Sequence, residues 1–122
     1  LSFSAETFFR ALAAEPRLRC LALLAQGELC VCDLTEVLGL AQPKVSRHLA
    51  YLRAAAIVLD QRRGRWIHYR LNPDLPSWAR AVLASTVEGV RHEAPFAGDH
   101  ARLSALSARE ERCGSQPSDA AV

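Results

Sequence analysis

The sequence predicts a small, mostly α-helical α+β domain with the element order α-α-α-α-β-β-α, and three observations predict it. Four stretches with apolar residues at helical spacing, punctuated by proline and glycine, fill the first half of the chain. At Ile57 the pattern changes to β-branched and aromatic residues on either side of a glycine, the mark of a hairpin. A last apolar helix follows Pro73 and Pro76. At 122 residues, 50% of them apolar, the chain is long enough for one domain with a true core.

The first helix is read over Phe3 to Ala14, where Phe8, Phe9, Leu12 and Ala13 share a face and Glu15-Pro16 breaks the run. Pro16 is tolerated in the first turn of a second helix that buries Leu18, Leu21, Ala22 and Ala25 and stops at Gly27. A short third helix from Cys32 to Leu38 turns Leu34, Val37 and Leu38 inward and ends at Gly39. After a turn through Leu40, Ala41 and Gln42, Pro43 opens a fourth helix with Val45, Leu49 and Leu52 as its buried stripe. Two short helices joined by a tight turn form a helix-turn-helix. Ile57–Arg62 and Trp66–Leu71 bracket Arg63-Gly64 as an antiparallel hairpin, which makes the unit a winged helix-turn-helix. Trp78, Val82, Ser85, Thr86 and Gly89 lie on one side of the final helix, which ends near His92. A face this apolar calls for a partner, here a second copy of the chain in a homodimer. We therefore divide the chain into a DNA-binding and dimerisation domain, 1–93, and a flexible or partly helical tail, 94–122, with partial helix around Ala101 to Glu111. Tyr51, Trp66 and Tyr69 are assigned to the core.

Net charge is +2, but it is segregated. Between Gln42 and Arg70 seven Lys and Arg face the single acid Asp60, a charge of +6 that leaves −4 on the rest. That is the footprint of a phosphate-binding face on an acidic body, although a solvated basic surface has the same composition. The second helix of a helix-turn-helix lies in the major groove with its N-terminal residues nearest the bases. Gln42, Lys44 and Arg47 have the reach to bond base edges, Ser46 can meet a base or a phosphate, and His48 completes the set. Arg62, Arg63 and Arg65 crowd the wing tip, where like charges repel unless an anion such as a DNA phosphate is near. His68 could contact phosphate or be plain structure. The partner implied is double-stranded DNA, with no membrane: the longest apolar runs, such as Leu21 to Ala25, cannot cross a bilayer, and no export signal is recognisable. The expected location is the cytoplasm, where Cys20, Cys30, Cys32 and Cys113 stay reduced.

Cys30 and Cys32 stand two residues apart at a helix start. Inside a helix that spacing would turn the sulfurs about 200° apart. With Cys30 before the first turn and Cys32 within it they converge, and the helix dipole is expected to favour both thiolates. Two sulfurs are too few for a closed structural zinc site, whereas a soft trivalent ion such as As(III) or Sb(III) takes three thiolates in a pyramid. Two unrelated small core residues would show the same spacing.

The motifs Glu28-Leu29-Cys30-Val31-Cys32-Asp33-Leu34, Gln42-Pro43-Lys44-Val45-Ser46-Arg47-His48-Leu49 and Gly64-Arg65-Trp66-Ile67-His68-Tyr69-Arg70-Leu71 resemble the arsenical-resistance repressors of the ArsR/SmtB family over about Phe8 to Val90. The resemblance implies a dimeric winged helix repressor, not an enzyme, which sits on an operator and is released by As(III) or Sb(III) as inducer, with no organic cofactor. It also implies a third cysteine three residues after the pair, where this chain has Thr35. Cys113 is then the candidate third ligand, from its own or the partner subunit, while Cys20, beside Leu18 and Leu21, is read as a core residue. The family's zinc sensors carry Asp and His along the last helix. Here only His92 and Glu93 lie near its end, with Asp74 before and His100 beyond, which argues against zinc. Closing sulfurs around an ion would distort the start of the third helix and disturb the one-turn separation of the two reading helices. The competing readings are a repressor of the same fold switched by thiol oxidation and, more remotely, a thiol oxidoreductase, for which the C-x-x-C motif and its βαβ setting are missing.

Overall fold

The computed structural model describes residues 3–108. Its order is α1 (Ala5–Leu12), α2 (Glu15–Leu24), β1 (Leu29–Cys30), α3 (Val31–Leu38), α4 (Gln42–Ala54), β2 (Val58–Arg63), β3 (Trp66–Leu71), α5 (Ser77–Val90) and α6 (Phe96–Ala108). Ser4 caps α1 by accepting from the Thr7 amide at 3.2 Å, and Pro16 and Pro43 occupy the first turns of α2 and α4. Gly39 ends α3 in the left-handed region at φ 69°, which glycine reaches without steric cost, and so allows the sharp turn into α4.

α2, α3 and α4 meet over Leu21, Leu34, Val37, Val45, Leu49 and Leu52, all buried. The hairpin follows from Val58↔Leu71 to Arg63↔Trp66, closed by Gly64-Arg65 with Gly64 at φ 63°. The sheet has a third strand that the sequence reading lacks. Two-residue β1 pairs antiparallel with β3 through Leu29↔Tyr69 and Cys30↔His68, giving the order β1-β3-β2.

α6 departs most from expectation. The sequence predicts a flexible or partly helical tail beyond 93, with helix around Ala101 to Glu111; the helix instead spans Phe96–Ala108 and buries Phe96, Asp99, Leu103 and Leu106 against α2 and α3. Asp99 takes both Nε and NH2 of Arg19 at 2.8 Å and NH2 of Arg102 at 2.7 Å. The same two arginines donate to the last carbonyls of α3: Arg19 to Leu38 O at 3.1 Å, Arg102 to Val37 O at 2.8 Å. Carbonyls that a helix leaves unpaired at its C-terminus are thus satisfied by side chains from two neighbours. The boundary expected after residue 93 therefore falls between helices that share one core.

Tyr69 is buried and Trp66 half-buried, but Tyr51 is 38% exposed, which corrects its assignment to the core. Its ring instead carries the Arg17 guanidinium at 3.9 Å. Among the described residues no helix is long and apolar enough to cross a membrane.

Candidate nucleic-acid interface and thiol site

α4 is amphipathic in the way a reading helix requires. Val45, Leu49 and Leu52 are buried, while Gln42, Lys44 and Arg47 are exposed and Ser46 and His48 half-buried at its outer side. His48 is pushed below its usual value by burial and by the positive charges of Arg17, Arg47 and Lys44. At the wing tip Arg62, Arg63 and Arg65 are all exposed. Arg65 lies over the Trp66 ring at 5.5 Å, and Arg62 reaches Gly64 O at 3.5 Å. Arg63 is held more firmly, its NH2 lying 2.8 Å from Glu28 Oε2. The single acid of the basic segment, Asp60, is neutralised locally by Arg53 at 2.9 Å.

Cys30 is the N-cap of α3, with extended φ −86° and ψ 160°, and Cys32 lies in the first turn. That backbone change brings their Sγ atoms to 3.2 Å. The Asp33 carboxylate joins them: one ligand atom from each of the three lies within 4.8 Å of the others, and this is the cluster among the described residues able to hold a metal ion. With a metal–thiolate bond of about 2.3 Å, sulfurs 3.2 Å apart subtend an angle of about 88° at a shared ion. The angle is narrower than a tetrahedral centre asks and suits a pyramidal one. Thr35, where the resemblance implies cysteine, donates its hydroxyl to Val31 O at 2.8 Å, so its hydrogen is committed to the helix.

The expected stabilisation of thiolate at Cys30 is outweighed. Burial, with 1% of the residue exposed, pushes this thiol up to about 11, although the backbone N–H groups of Asp33 and Cys32 pull the other way. Cys20 is buried in the α2 core, as read, and is pushed up to about 12 by burial. Cys113 lies outside the described residues.

Sequence reasoning missed Asp33 and Glu28. Asp33 could have been found as an acid in the first turn of a helix, where the macrodipole favours it. Glu28 carries no such signal, because its partners Arg63 and His68 come from the hairpin. His68, left open by the sequence, is buried with Nδ1 3.4 Å from Glu28 Oε2.

A helix-turn-helix with a basic wing, a reading helix exposed along its polar side and two neighbouring cysteine sulfurs at the start of the supporting helix define a DNA-binding regulator of the winged helix class. Residues 15–59 match the model of the bacterial regulatory protein, arsR family. The arsenic resistance transcriptional regulator ArsR2 of Pseudomonas putida is 51% identical over 81 residues, 66% of this chain and 70% of that protein. The arsenical resistance operon repressor of Escherichia coli is 51% identical over 76 residues, 62% of this chain and 65% of the relative, so about two thirds of these relatives' length is spanned. Among solved structures, the antimony-specific transcriptional repressor AntR superimposes with a TM-score of 0.58 at 32% identity, covering 70% of this chain and 75% of AntR. HlyU of Vibrio cholerae does so at 0.60 and 28%, covering 74% and 90%. The chain belongs to the ArsR family, whose winged helix-turn-helix fold it shares.

Proposed function

We propose that the chain is a metalloid-responsive transcriptional repressor of the cytoplasm that binds operator DNA as a homodimer and is released when As(III) or Sb(III) is captured by Cys30, Cys32 and a third thiolate. The observation that carries this reading is the 3.2 Å separation of the two sulfurs at the start of the helix that supports α4. The names of the relatives, arsenic resistance regulators and an antimony-specific repressor, point to the same ions. In DNA binding, Gln42, Lys44, Ser46, Arg47 and His48 face the major groove and Arg62, Arg63 and Arg65 the backbone.

The third ligand is Cys113. Asp33 is close enough, but a hard carboxylate oxygen suits a soft pnictogen poorly. α6 runs back along α3: Arg102 meets the carbonyl of Val37, while Leu103, Ser104 and Ser107 border an open cavity with Gln26, Glu28 and Leu29, just ahead of Cys30. Cys113 stands five positions after Ala108, a reach of up to about 17 Å. Self-association is supported by an apolar cluster across α1 and α5. There Phe9 and Trp78 are 50% and 43% exposed, their rings stacked at 6.0 Å, with Phe3 against Trp78 at 5.9 Å.

The test is operator-fragment anisotropy under reducing conditions, titrated with As(III), Sb(III) and Zn(II), for the native chain and for Cys30→Ser, Cys32→Ser and Cys113→Ser. Release by As(III) or Sb(III) that each substitution abolishes supports the reading. Release retained in Cys113→Ser removes that residue from the site, and DNA binding indifferent to every ion overturns the metalloid reading.

A further inference from the structure

Resting on the reading of this chain as an ion-released repressor, we propose that Glu28 is a positioning residue that transmits ion capture at Cys30 and Cys32 to the wing through its grip on Arg63. One carboxylate oxygen, Glu28 Oε2, lies 2.8 Å from Arg63 NH2 and 3.4 Å from His68 Nδ1. His68 is the register partner of Cys30 on one side and of Gln61 on the other, so the row Cys30–His68–Gln61 crosses all three strands. Glu28 joins the thiol end of this row to the wing tip, because Arg63 is the last residue of β2, opposite Trp66.

The chain between the ion and Glu28 has little slack. β1 is two residues long, and Cys30 is both its last residue and the N-cap of α3. Any shift of Cys30 as a third thiolate closes on the ion is therefore passed to β1, and Glu28 precedes β1 directly. Arg63 meets Glu28 through one terminal nitrogen, which leaves other donors of its fork for phosphate. A displaced carboxylate swings that fork and spoils its aim, with no change of charge. Exposure fits the role, since Glu28 is only 25% exposed while Arg63, at 44%, is open to DNA.

The measured quantity is the ratio of operator Kd with As(III) bound to operator Kd without it, for the full chain, alongside As(III) affinity from the ultraviolet absorption of the arsenic–thiolate bonds. Couplings of this kind typically span about 5- to 150-fold. Glu28→Ala is expected to bind As(III) as the native chain does but to lower the ratio to about one fifth or less of the native value. Glu28→Gln, which keeps an acceptor for Arg63, falls between, and Arg63→Lys, which keeps the cation but not the fork, lowers the ratio as well. Asp60→Asn removes an equal charge from the wing without touching this link and keeps the native ratio. A native ratio in Glu28→Ala at unchanged As(III) affinity overturns the proposal, as does loss of As(III) binding in that variant, which would make Glu28 part of the ion site. A ratio of one in the native chain with the ion bound overturns the reading of As(III) as the releasing ion, a failure visible before any variant is made.

Discussion

Asp99→Ala is expected to be the most costly single change on the α6 side of the molecule. The carboxylate is 2% exposed and accepts two hydrogen bonds from Arg19, whose side chain is 13% exposed, and one from the half-exposed Arg102. Removing one partner of a buried ion pair costs about 3–5 kcal/mol, because the other charge is left without compensation. Arg19 keeps the carbonyl of Leu38, and Arg102 can turn to solvent, so the lower end applies, about 3 kcal/mol. With a urea dependence of roughly 1.5 kcal/mol per molar, the unfolding midpoint should fall by about 2 M. Replacing the pair together, as Arg19→Met with Asp99→Leu, should recover most of the loss, since two apolar side chains leave no orphaned charge. Urea unfolding followed by circular dichroism tests both variants, and amide exchange along α6 shows where the native state loosens. A loss below about 1 kcal/mol, or a double variant no more stable than Asp99→Ala, would refute the claim that this pair holds α6 in the core.

Three other expectations are open to measurement. At neutral pH Cys30 keeps its proton, because its thiol is pushed up to about 11. Trivalent arsenic arrives with hydroxide ligands, and each arsenic–sulfur bond formed from a protonated thiol releases water and no net proton. As(III) affinity at this position should be flat from about pH 6 to 8, whereas Zn(II) must expel the Cys30 proton and should gain about tenfold per pH unit for it; competition titrations at several pH values decide. Cys20 and Cys30 both have folded values above the ordinary 9.0, about 12 and about 11, so their stabilising contribution is full below pH 9 and is lost as pH rises through those values. The urea midpoint should fall between about pH 9 and 12, and Cys20→Ala should flatten that fall. Finally, Arg62→Ala and Arg65→Ala should each lower the slope of log affinity against log salt by about 1 with little change in operator preference, the result expected of phosphate contacts.

The helix-turn-helix and wing were legible because local chemistry specifies them. Val45, Leu49 and Leu52 repeat at helical spacing, Pro43 and Gly39 mark the ends of the turn, and Gly64 supplies the positive φ of the hairpin. α6 was obscured because its inward stripe, Phe96, Asp99, Leu103 and Leu106, has an acid in the middle. Asp99 can be buried only because Arg19, 80 residues away in sequence, meets it, and periodicity contains no term for such a partner. Tyr51 failed in the opposite sense, its aromatic ring drawn to a surface cation and not to the core. At the thiol site the convergence of Cys30 and Cys32 followed from the helix boundary, a local feature. The protonation of Cys30 did not, because the burial that decides it is imposed by elements distant in sequence.

The clamp on α3 also bears on how ion capture would travel. Sequence reasoning sent the disturbance through α3 into the spacing of the reading helices. α3, however, is fixed at its C-terminal end, where Arg19 and Arg102 grip the carbonyls of Leu38 and Val37, close to the turn that starts α4. Eight residues of helix are about 12 Å long, so a 1 Å shift of the Cys30 end about this fixed point tilts α3 by only about 5°. Displacement is largest at Cys30 and vanishes towards the turn into α4. β1 and Glu28 are attached at the moving end, the first residues of α4 at the still one. The fold thus favours the wing as the first part of the DNA-binding surface to register the ion.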